Sequence, residues 1–362
     1  MKKDIKILLL GDFSGFHKNL KSGLHKLGVE SIIVGNGDGW KKIQSDIDIS
    51  VEGNSILSKI KRRLLLFKTI LDIKDYDIVQ IMNVNILGLN KFPGKLAFKI
   101  LKKNNKKVFL LAAGSDSYFW LYGRKRLKYG PFDDFLKYDL KKATDRNETE
   151  AMVSLNKYMA DNCDGIIPIM HEYEISYKGH SNLKKTIPIP IDLSENKYSE
   201  NNVGEKIVVF HGLNRPGFKG THYIKEAFNI IGEKYPNDVE LIIDGKMPIE
   251  EYLKIINKSN VVIDQVNSHS LGVNGVIALA LGKVVIGGAE SESLESFCLS
   301  ETPVINIKPN VEDIVSKIES LILNRHKVKA IGLDSRRFAE SFHDDKVVAS
   351  QFLNVWCTND KK

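Results

Sequence analysis

The chain has 362 residues and a formal net charge of +8, long enough for two domains that each bury a full core. Its apolar fraction of 43% and charged fraction of 27% are those of an ordinary soluble protein, which excludes disordered and collagen-like classes. The three cysteines, Cys163, Cys298 and Cys357, have no metal-ligand spacing and are too few for a disulfide framework. We therefore expect buried or incidental thiols.

The apolar segments are too short to span a bilayer. Segment 276–288 is interrupted by Lys283, and the apolar run after the basic start covers only Ile7 to Leu10 before a Gly-Asp pair. This start therefore predicts a first β-strand and not a signal peptide. We expect a cytoplasmic protein.

The positive charge is concentrated in the first half of the chain. Residues 1–200 carry 34 Lys and Arg against 24 Asp and Glu, with basic clusters at 59–63, 102–107 and 124–128. Segment 59–68 mixes cations with Leu, Ile and Phe, as interfacial helices do. The clusters indicate either solvated helix faces or a surface for an anionic membrane or acceptor. Nucleic acid is not expected, because no nucleic-acid-binding module accompanies the charge.

Alternating strands and helices predict a parallel α/β sheet in the first half. The predicted strands are 5–10, 31–34, 77–82, 108–112, 165–169 and 185–189, and the predicted helices are 18–27, 56–71, 93–101, 148–161 and 171–177. The loop 11–17 lacks the G-x-G-x-x-G spacing of a dinucleotide site. Gly15 in this loop is nevertheless a candidate backbone contact for a donor phosphate or an acceptor, with Phe16 and His17 as side-chain candidates.

A second β-α series follows a linker at 188–204. Its predicted strands are 207–210, 240–244, 261–264, 283–286 and 304–307, and helices at 336–342 and 345–356 close the chain. Two doubly wound halves of similar size imply a cleft, with ligands at the carboxyl ends of the strands.

A glycine-rich loop follows the first strand of the second half. It holds Gly212, Gly217 and Gly220, and its two cations are Arg215 and Lys219. A strand, a glycine-rich loop and a helix together present backbone N–H groups and a helix N-terminus to an anion. Arg can bind two phosphate oxygens at once, and Lys adds a point charge. The loop predicts a phosphate site, and the alternative is a surface loop with two solvated cations.

Several stretches resemble GT-B glycosyltransferases of the retaining family 4. HGLNRPGFKGTHYI at 211–224 resembles the family stretch H-x-P-x-N-R-x-x-K-G-T-x-Y-I, and 264–286 resembles D-Q-x-x-x-G-x-Y-G-x-x-A-x-E-A-M-A-x-G-K-P-V-I. Gly114-Ser115-Asp116 is similar to a G-S-D stretch of the same subgroup, and 335–344 resembles its closing helices. The resemblance implies two Rossmann-like doubly wound domains facing across a cleft: 1–195 on the acceptor side, 196–340 for the nucleotide sugar, and a helix at 341–362 that packs back on the first domain.

The chain departs from the family at the Glu-x7-Glu pair, in which the first Glu lies near the sugar and the second bonds the nucleotide ribose. In this register the two positions are His269 and Ile277, and no acidic residue lies between Gln265 and Ala289. An aliphatic side chain cannot accept hydrogen bonds from ribose hydroxyls. Either Asn274 accepts the hydrogen bonds from the ribose instead, or the donor binds differently, or activity has been lost.

The resemblance implies a set of site residues. Arg215 and Lys219 would stabilise the leaving diphosphate, and Asp116 would position an acceptor hydroxyl unless it is only a turn or N-cap residue. The predicted donor-binding residues are Gly15, His211, Arg215, Lys219, Gly220, Asp264, Gln265, Gly272, Val273 and Asn274. We expect no cofactor beyond the nucleotide-sugar substrate, no bound metal and no enzymic nucleophile.

The expected function is a metal-independent hexosyltransferase of polysaccharide biosynthesis. It would move a sugar from a nucleotide-sugar donor to a surface-glycan or lipid-linked acceptor, with retention, in the cytoplasm or on the inner face of the membrane. The alternatives are a GT-B-like sugar-nucleotide epimerase and a non-catalytic, glycosyltransferase-like binding protein. The absence of H-E-x-x-H, G-x-S-x-G and P-loop patterns argues against zincin, α/β-hydrolase and P-loop chemistry.

Overall fold

The computed structural model describes residues 5–39, 42–89, 91–140, 145–213, 217–245 and 249–358. By its internal contacts the chain divides into two compact units. Unit 1 comprises Met1–Arg126, Thr144–Pro190 and Asp345–Lys362, and unit 2 comprises Leu127–Ala143 and Ile191–Asp344. Residues 127–143, which the sequence prediction assigned to the first domain, therefore cluster with unit 2.

Each unit contains one parallel β-sheet. In chain order the strands are β1 Ile7–Leu10, β2 Ser31–Gly35, β3 Ile47–Asp48, β4 Ile78–Ile81, β5 Lys107–Ala112, β6 Gly165–Pro168, β7 Ile207–Gly212, β8 Val239–Asp244, β9 Val261–Ile263, β10 Val284–Gly287 and β11 Ile305–Asn306. The sheet orders are β3-β2-β1-β4-β5-β6 and β11-β10-β9-β7-β8, with every strand pair parallel. Most central strands are continuous apolar runs, because both faces of such a sheet are covered, and β4 is interrupted by the buried Gln80.

Helices connect the strands. In chain order they are α1 Phe16–Lys26, α2 Ile56–Asp72, α3 Gly94–Asn104, α4 Arg124–Arg126, α5 Pro131–Lys137, α6 Glu150–Asn162, α7 His171–Tyr177, α8 Thr221–Lys234, α9 Ile249–Lys258, α10 Val273–Ala280, α11 Ser291–Ser296, α12 Val311–Leu323, α13 Val328–Phe338 and α14 Asp345–Cys357. Short 3-10 turns occur at Val84–Ile86, Asp145–Glu148 and Arg325–Lys327, and π-helical turns at Phe119–Gly123 and Ala339–His343. Within the described ranges, no helix is both long and apolar enough to cross a bilayer.

The last helix, α14, packs against α1 within unit 1. The rings of Phe16 and Phe352 meet edge to face at 6.0 Å, and Trp356 Nε1 donates a hydrogen bond to Gln80 Oε1 at 3.0 Å. A Cβ on Gly23 would lie 2.0 Å from the carbonyl oxygen of Asp345, so only glycine allows this close approach. The chain thus ends on the unit in which it began.

The alternation of strands and helices predicted from the sequence is confirmed, but one predicted strand is wrong. Residues 185–189 form no strand, although Ile187 N donates to Pro168 O at 2.9 Å. Pro188 and Pro190 have no N–H group, so they cannot continue a hydrogen-bond ladder. The sixth strand of the unit 1 sheet is instead β3, two residues at the sheet edge that carry no apolar run.

The core of unit 2 lies between its sheet and the helices α8 and α12. Its buried apolar members include Val209, Ile224, Ile231, Val261, Ile263, Val284, Ile286, Ile314 and Ile318. Because this packing fixes β7, β9 and β10 side by side, the loops that follow these strands share one edge of the sheet. That edge holds most of the predicted donor-binding residues.

Candidate functional site

A buried ion pair joins two of the loops at the carboxyl edge of the unit 2 sheet. Lys219 Nζ lies 2.6 Å from Asp264 Oδ1, and the exposed fractions of these residues are 4% and 1%. The other carboxylate oxygen of Asp264 accepts a hydrogen bond from Gly272 N at 2.7 Å. Gly272 is the N-cap of α10, so one carboxylate connects the lysine to a helix N-terminus.

His211 joins the same two strands to helix α8. Its Nδ1 lies 3.0 Å from Ile263 O and its Nε2 lies 3.0 Å from Thr221 Oγ1. Because a carbonyl can only accept, Nδ1 carries the proton and Nε2 accepts from the Thr221 hydroxyl. Burial, with a smaller contribution from the charge of Lys219, lowers the pKa of His211 to about 3. His211 is therefore neutral at pH 7 and has no exposed surface.

The remaining predicted residues of unit 2 lie in the same loops. Gly220 is the N-cap of α8 with φ 59°, and a Cβ there would lie 2.8 Å from Val266. Gln265 is buried and donates to Ser268 Oγ at 3.3 Å, whereas Val273 and Asn274 are half-buried in the first turn of α10. Arg215 lies outside the described residues. The structure thus brings together His211, Lys219, Gly220, Asp264, Gln265, Gly272, Val273 and Asn274.

The two positions that depart from the family pattern have different surroundings. The ring of His269 stacks on the ring of Tyr129 with centroids 4.4 Å apart, and its Nε2 lies 3.2 Å from Tyr129 O. Ile277 is half-buried on α10. In the described ranges, no group of three or more His, Cys, Asp or Glu side chains is placed to hold a metal ion.

The predicted residue Gly15 lies in unit 1 at the N-terminus of α1. It has φ 80°, and a Cβ on it would meet no atom within 4 Å. The first-turn amides of α1 are bound by Asp12, whose carboxylate accepts from His17 N at 3.2 Å and Lys18 N at 3.0 Å. An aspartate shortly before a helix is the sequence signal that could have identified this cap. Its negative charge already occupies the favourable position at the helix N-terminus.

Asp116 is also in unit 1 and is buried. Its Oδ1 accepts from Phe119 N at 2.8 Å, and its Oδ2 accepts from the Tyr177 hydroxyl at 2.6 Å. Asn156 Nδ2 donates to the same hydroxyl oxygen at 2.8 Å. Burial raises the pKa of Asp116 to about 6. This geometry is the one expected if Asp116 is an N-cap residue. That Asp116 positions an acceptor hydroxyl stays a prediction.

Asn267 belongs to the same loop cluster but was not predicted. Its Nδ2 donates to Gly217 O and to Asp134 Oδ2, both at 2.6 Å. No motif signals this pairing, because Asp134 is 133 positions away in sequence.

Solved structures match nearly the whole length of this chain. No family model and no curated protein matches the sequence. HepE from Anabaena, in complex with UDP and glucose, is similar with 14% identity and a TM-score of 0.62 over 97% of this chain and 99% of its own. Sucrose-phosphate synthase from Thermosynechococcus elongatus is similar with 13% identity and a TM-score of 0.63 over 98% of both chains.

The chain has the GT-B fold. A putative UDP-N-acetylglucosamine 2-epimerase from Listeria monocytogenes also matches this GT-B chain, with 12% identity and a TM-score of 0.54 over 99% of this chain and 98% of its own. At such identities the likeness establishes the fold, and the activity has to be argued from the site.

Proposed function

We propose that this GT-B protein is a glycosyltransferase that transfers a sugar from a UDP-sugar to a surface-glycan or lipid-linked acceptor. The observation that carries the proposal is the position of Lys219, held by Asp264 beside the first residues of α8 and α10. Structures of HepE contain UDP and UDP-glucose, and one of TarM from S. aureus contains UDP, which supports UDP as the nucleotide. Transfer with retention, as in family 4, and a hexosyl donor are part of the proposal.

The chemistry requires stabilisation of the leaving diphosphate. The acceptor hydroxyl oxygen bonds to the anomeric carbon and the bond from that carbon to the diphosphate oxygen breaks. Negative charge develops on the leaving UDP, which takes up the hydroxyl proton. Cations and helix N-termini stabilise such charge without a metal ion. Arg215 would contact the phosphates directly, and Lys219, bound to Asp264 in the structure, would add positive charge from the same loop.

Two alternatives have a specific observation in their favour. The similarity to a putative epimerase supports a sugar-nucleotide epimerase, which would release an epimer with no acceptor present. Ile277, in place of the family glutamate, supports a binding protein without catalysis. Analysis of products formed from a UDP-sugar, with and without added acceptor glycan, separates the three functions.

We also propose peripheral attachment to the inner face of a membrane through α2. Ile56, Leu57 and Leu64 on this helix are 77%, 78% and 66% exposed. The helix carries Lys59, Lys61, Arg63 and Lys68, and no carboxylate among the described residues lies within ion-pair distance of them. Exposed aliphatic side chains between unpaired cations fit an anionic lipid surface better than a protein interface, whose core is depleted of lysine.

Thermal unfolding in the presence of nucleotides tests the donor site. A ligand that binds only the folded state raises the melting temperature by mass action. We expect UDP, and not GDP, ADP or CMP, to stabilise the wild type and the exposed-arginine control Arg337→Ala, but not Arg215→Ala. If no nucleotide stabilises either the wild type or any variant of this protein at millimolar concentration, the proposed function is wrong.

A further inference from the structure

Residues 127–138, which we call the arm, lie across the site loops of unit 2. At one end Lys128 forms an ion pair with Glu292, and the Tyr129 hydroxyl donates to Glu290 Oε1 at 3.0 Å. Both glutamates lie at the start of α11, just after the loop that follows β10. The arm is therefore anchored at one side of the edge where ligands of parallel sheets bind.

The middle of the arm covers the loop after β9. Tyr129 stacks on His269, the position where the family resemblance places a residue near the sugar, and its carbonyl oxygen lies 3.2 Å from His269 Nε2. All residues from 264 to 270 are buried. Of these buried residues, His269 contacts the arm at Tyr129 and Asn267 contacts it at Asp134.

The arm brings a carboxylate to the start of α8. Asp134 Oδ2 lies 2.6 Å from Asn267 Nδ2 and 3.4 Å from the Nδ1 of His222, the second residue of α8. Asp134 is only 2% exposed. A helix N-terminus attracts anions, and the proposed function expects donor phosphates here.

The end of the arm packs on the glycine-rich loop. A Cβ on Gly217 would lie 3.1 Å from the ring of Phe135, and this ring meets Phe218 edge to face at 5.8 Å. The loop adopts φ 89° at Gly217, a conformation that leaves its face open for the ring. The ring of Phe135 therefore covers the loop at Gly217 and Phe218.

We propose that the arm is an internal occupant of the donor site, with the Asp134 carboxylate where a donor phosphate would bind, so that the donor binds only after the arm is displaced. The proposal rests on the proposed function and adds regulation of the same site. The apparent dissociation constant of the donor then equals its intrinsic value divided by the fraction of molecules with a displaced arm. Loosening the arm should therefore tighten donor binding.

Calorimetric titration with UDP tests this inference. Asp134→Asn removes the negative charge with little change in shape, and Phe135→Ala loosens the arm without changing charge. Both variants should bind UDP at least about fivefold more tightly than the wild type, the scale of a typical coupling between sites. Asp139→Asn is the matched control, because Asp139 is exposed, follows the last residue of the arm and has φ 51°, which asparagine tolerates. Its affinity should not change.

The outcomes separate the two proposals. If the wild type binds UDP and Asp134→Asn binds it equally or more weakly, the arm is no competitor, and the proposed function stands. If neither the wild type nor any variant binds UDP, the proposed function is wrong and the arm proposal is wrong with it. Hydrogen exchange gives an independent readout, since UDP should accelerate amide exchange in residues 131–138. Slower exchange would show that the arm closes over the donor, which overturns the proposal.

Discussion

Lys219 and Asp264 form a buried ion pair in which the second carboxylate oxygen also bonds the N-cap amide of α10. The two residues come from the loops after β7 and β9, so the pair fixes these loops relative to each other. It also fixes the direction of the lysine side chain. Replacing both partners of such a buried ion pair destabilises a protein less than replacing only one of them.

Asp264→Asn should destabilise unit 2 strongly. The substitution leaves the charge of Lys219 buried without an opposite charge, and such changes lower the free energy of unfolding by roughly 3–5 kcal/mol. Urea denaturation measures the loss. The double variant Lys219→Met/Asp264→Asn should lose less than Asp264→Asn alone, and additive losses would show that the pair has no energetic coupling.

His211 should make the protein sensitive to acid. Its pKa is about 3 in the folded chain against 6.5 for the unfolded chain, so below about pH 6.5 the unfolded state binds a proton that the folded state does not. The free energy of unfolding therefore falls as pH decreases, and at about pH 3.5 it is roughly 4 kcal/mol lower than at about pH 7. We expect His211→Gln to show a shallower loss between pH 7 and pH 4 in urea denaturation. The exposed control His326→Gln should follow the wild type, and equal slopes in all three would contradict the prediction.

Asp116 should change stability with pH in the direction opposite to His211. Its pKa is about 6 in the folded chain against 3.8, so between these values the folded state holds a proton that the unfolded state has lost. The contribution of this group to the free energy of unfolding falls by roughly 3 kcal/mol as pH rises from about 4 to about 7. Asp116→Asn should remove this slope, measured as the difference from the wild type at each pH. If the variant and the wild type have the same pH dependence of the free energy of unfolding, Asp116 is ionised over this whole pH range.

The exposed face of α2 should determine attachment to membranes. Leu57→Glu/Leu64→Glu removes two aliphatic contacts, each worth about 1.5–3 kcal/mol when fully buried, and adds negative charge. Binding to phosphatidylglycerol-containing vesicles, measured by co-sedimentation, should weaken by at least about tenfold. The control is Ile230→Glu, at an aliphatic side chain 43% exposed on α8 of unit 2. Equal binding of the two variants, or binding insensitive to salt, would contradict the membrane proposal.

Ile277→Glu should strengthen UDP binding if the family register holds for α10. A carboxylate at this position could accept hydrogen bonds from the ribose hydroxyls, and a hydrogen bond to a charged group contributes about 1.5–3 kcal/mol. The dissociation constant for UDP should then fall by about tenfold or more. Ile277→Leu keeps the position aliphatic and should leave the affinity unchanged. Weaker binding by the glutamate variant would indicate that the ribose lies elsewhere.

The sequence by itself determined the order of most elements and the position of the glycine-rich loop after β7. Parallel strands that are covered on both faces consist largely of consecutive apolar residues. The strands β1, β5, β7 and β10 were therefore predictable from local composition. The glycines of the loop before α8 could be predicted to allow unusual backbone conformations, and Gly217 and Gly220 have positive φ. Both are local properties of the chain.

Tertiary structure decided the partners of the site residues. Lys219 meets Asp264 across 45 positions and Asn267 meets Asp134 across 133, and neither pair has a spacing that a motif can encode. The prediction of a strand at 185–189 failed for a related reason, since whether an apolar run joins a sheet depends on the hydrogen bonds available beside it. Which residues become neighbours is set by the path of the whole chain, and only the folded molecule shows the arm lying on the site.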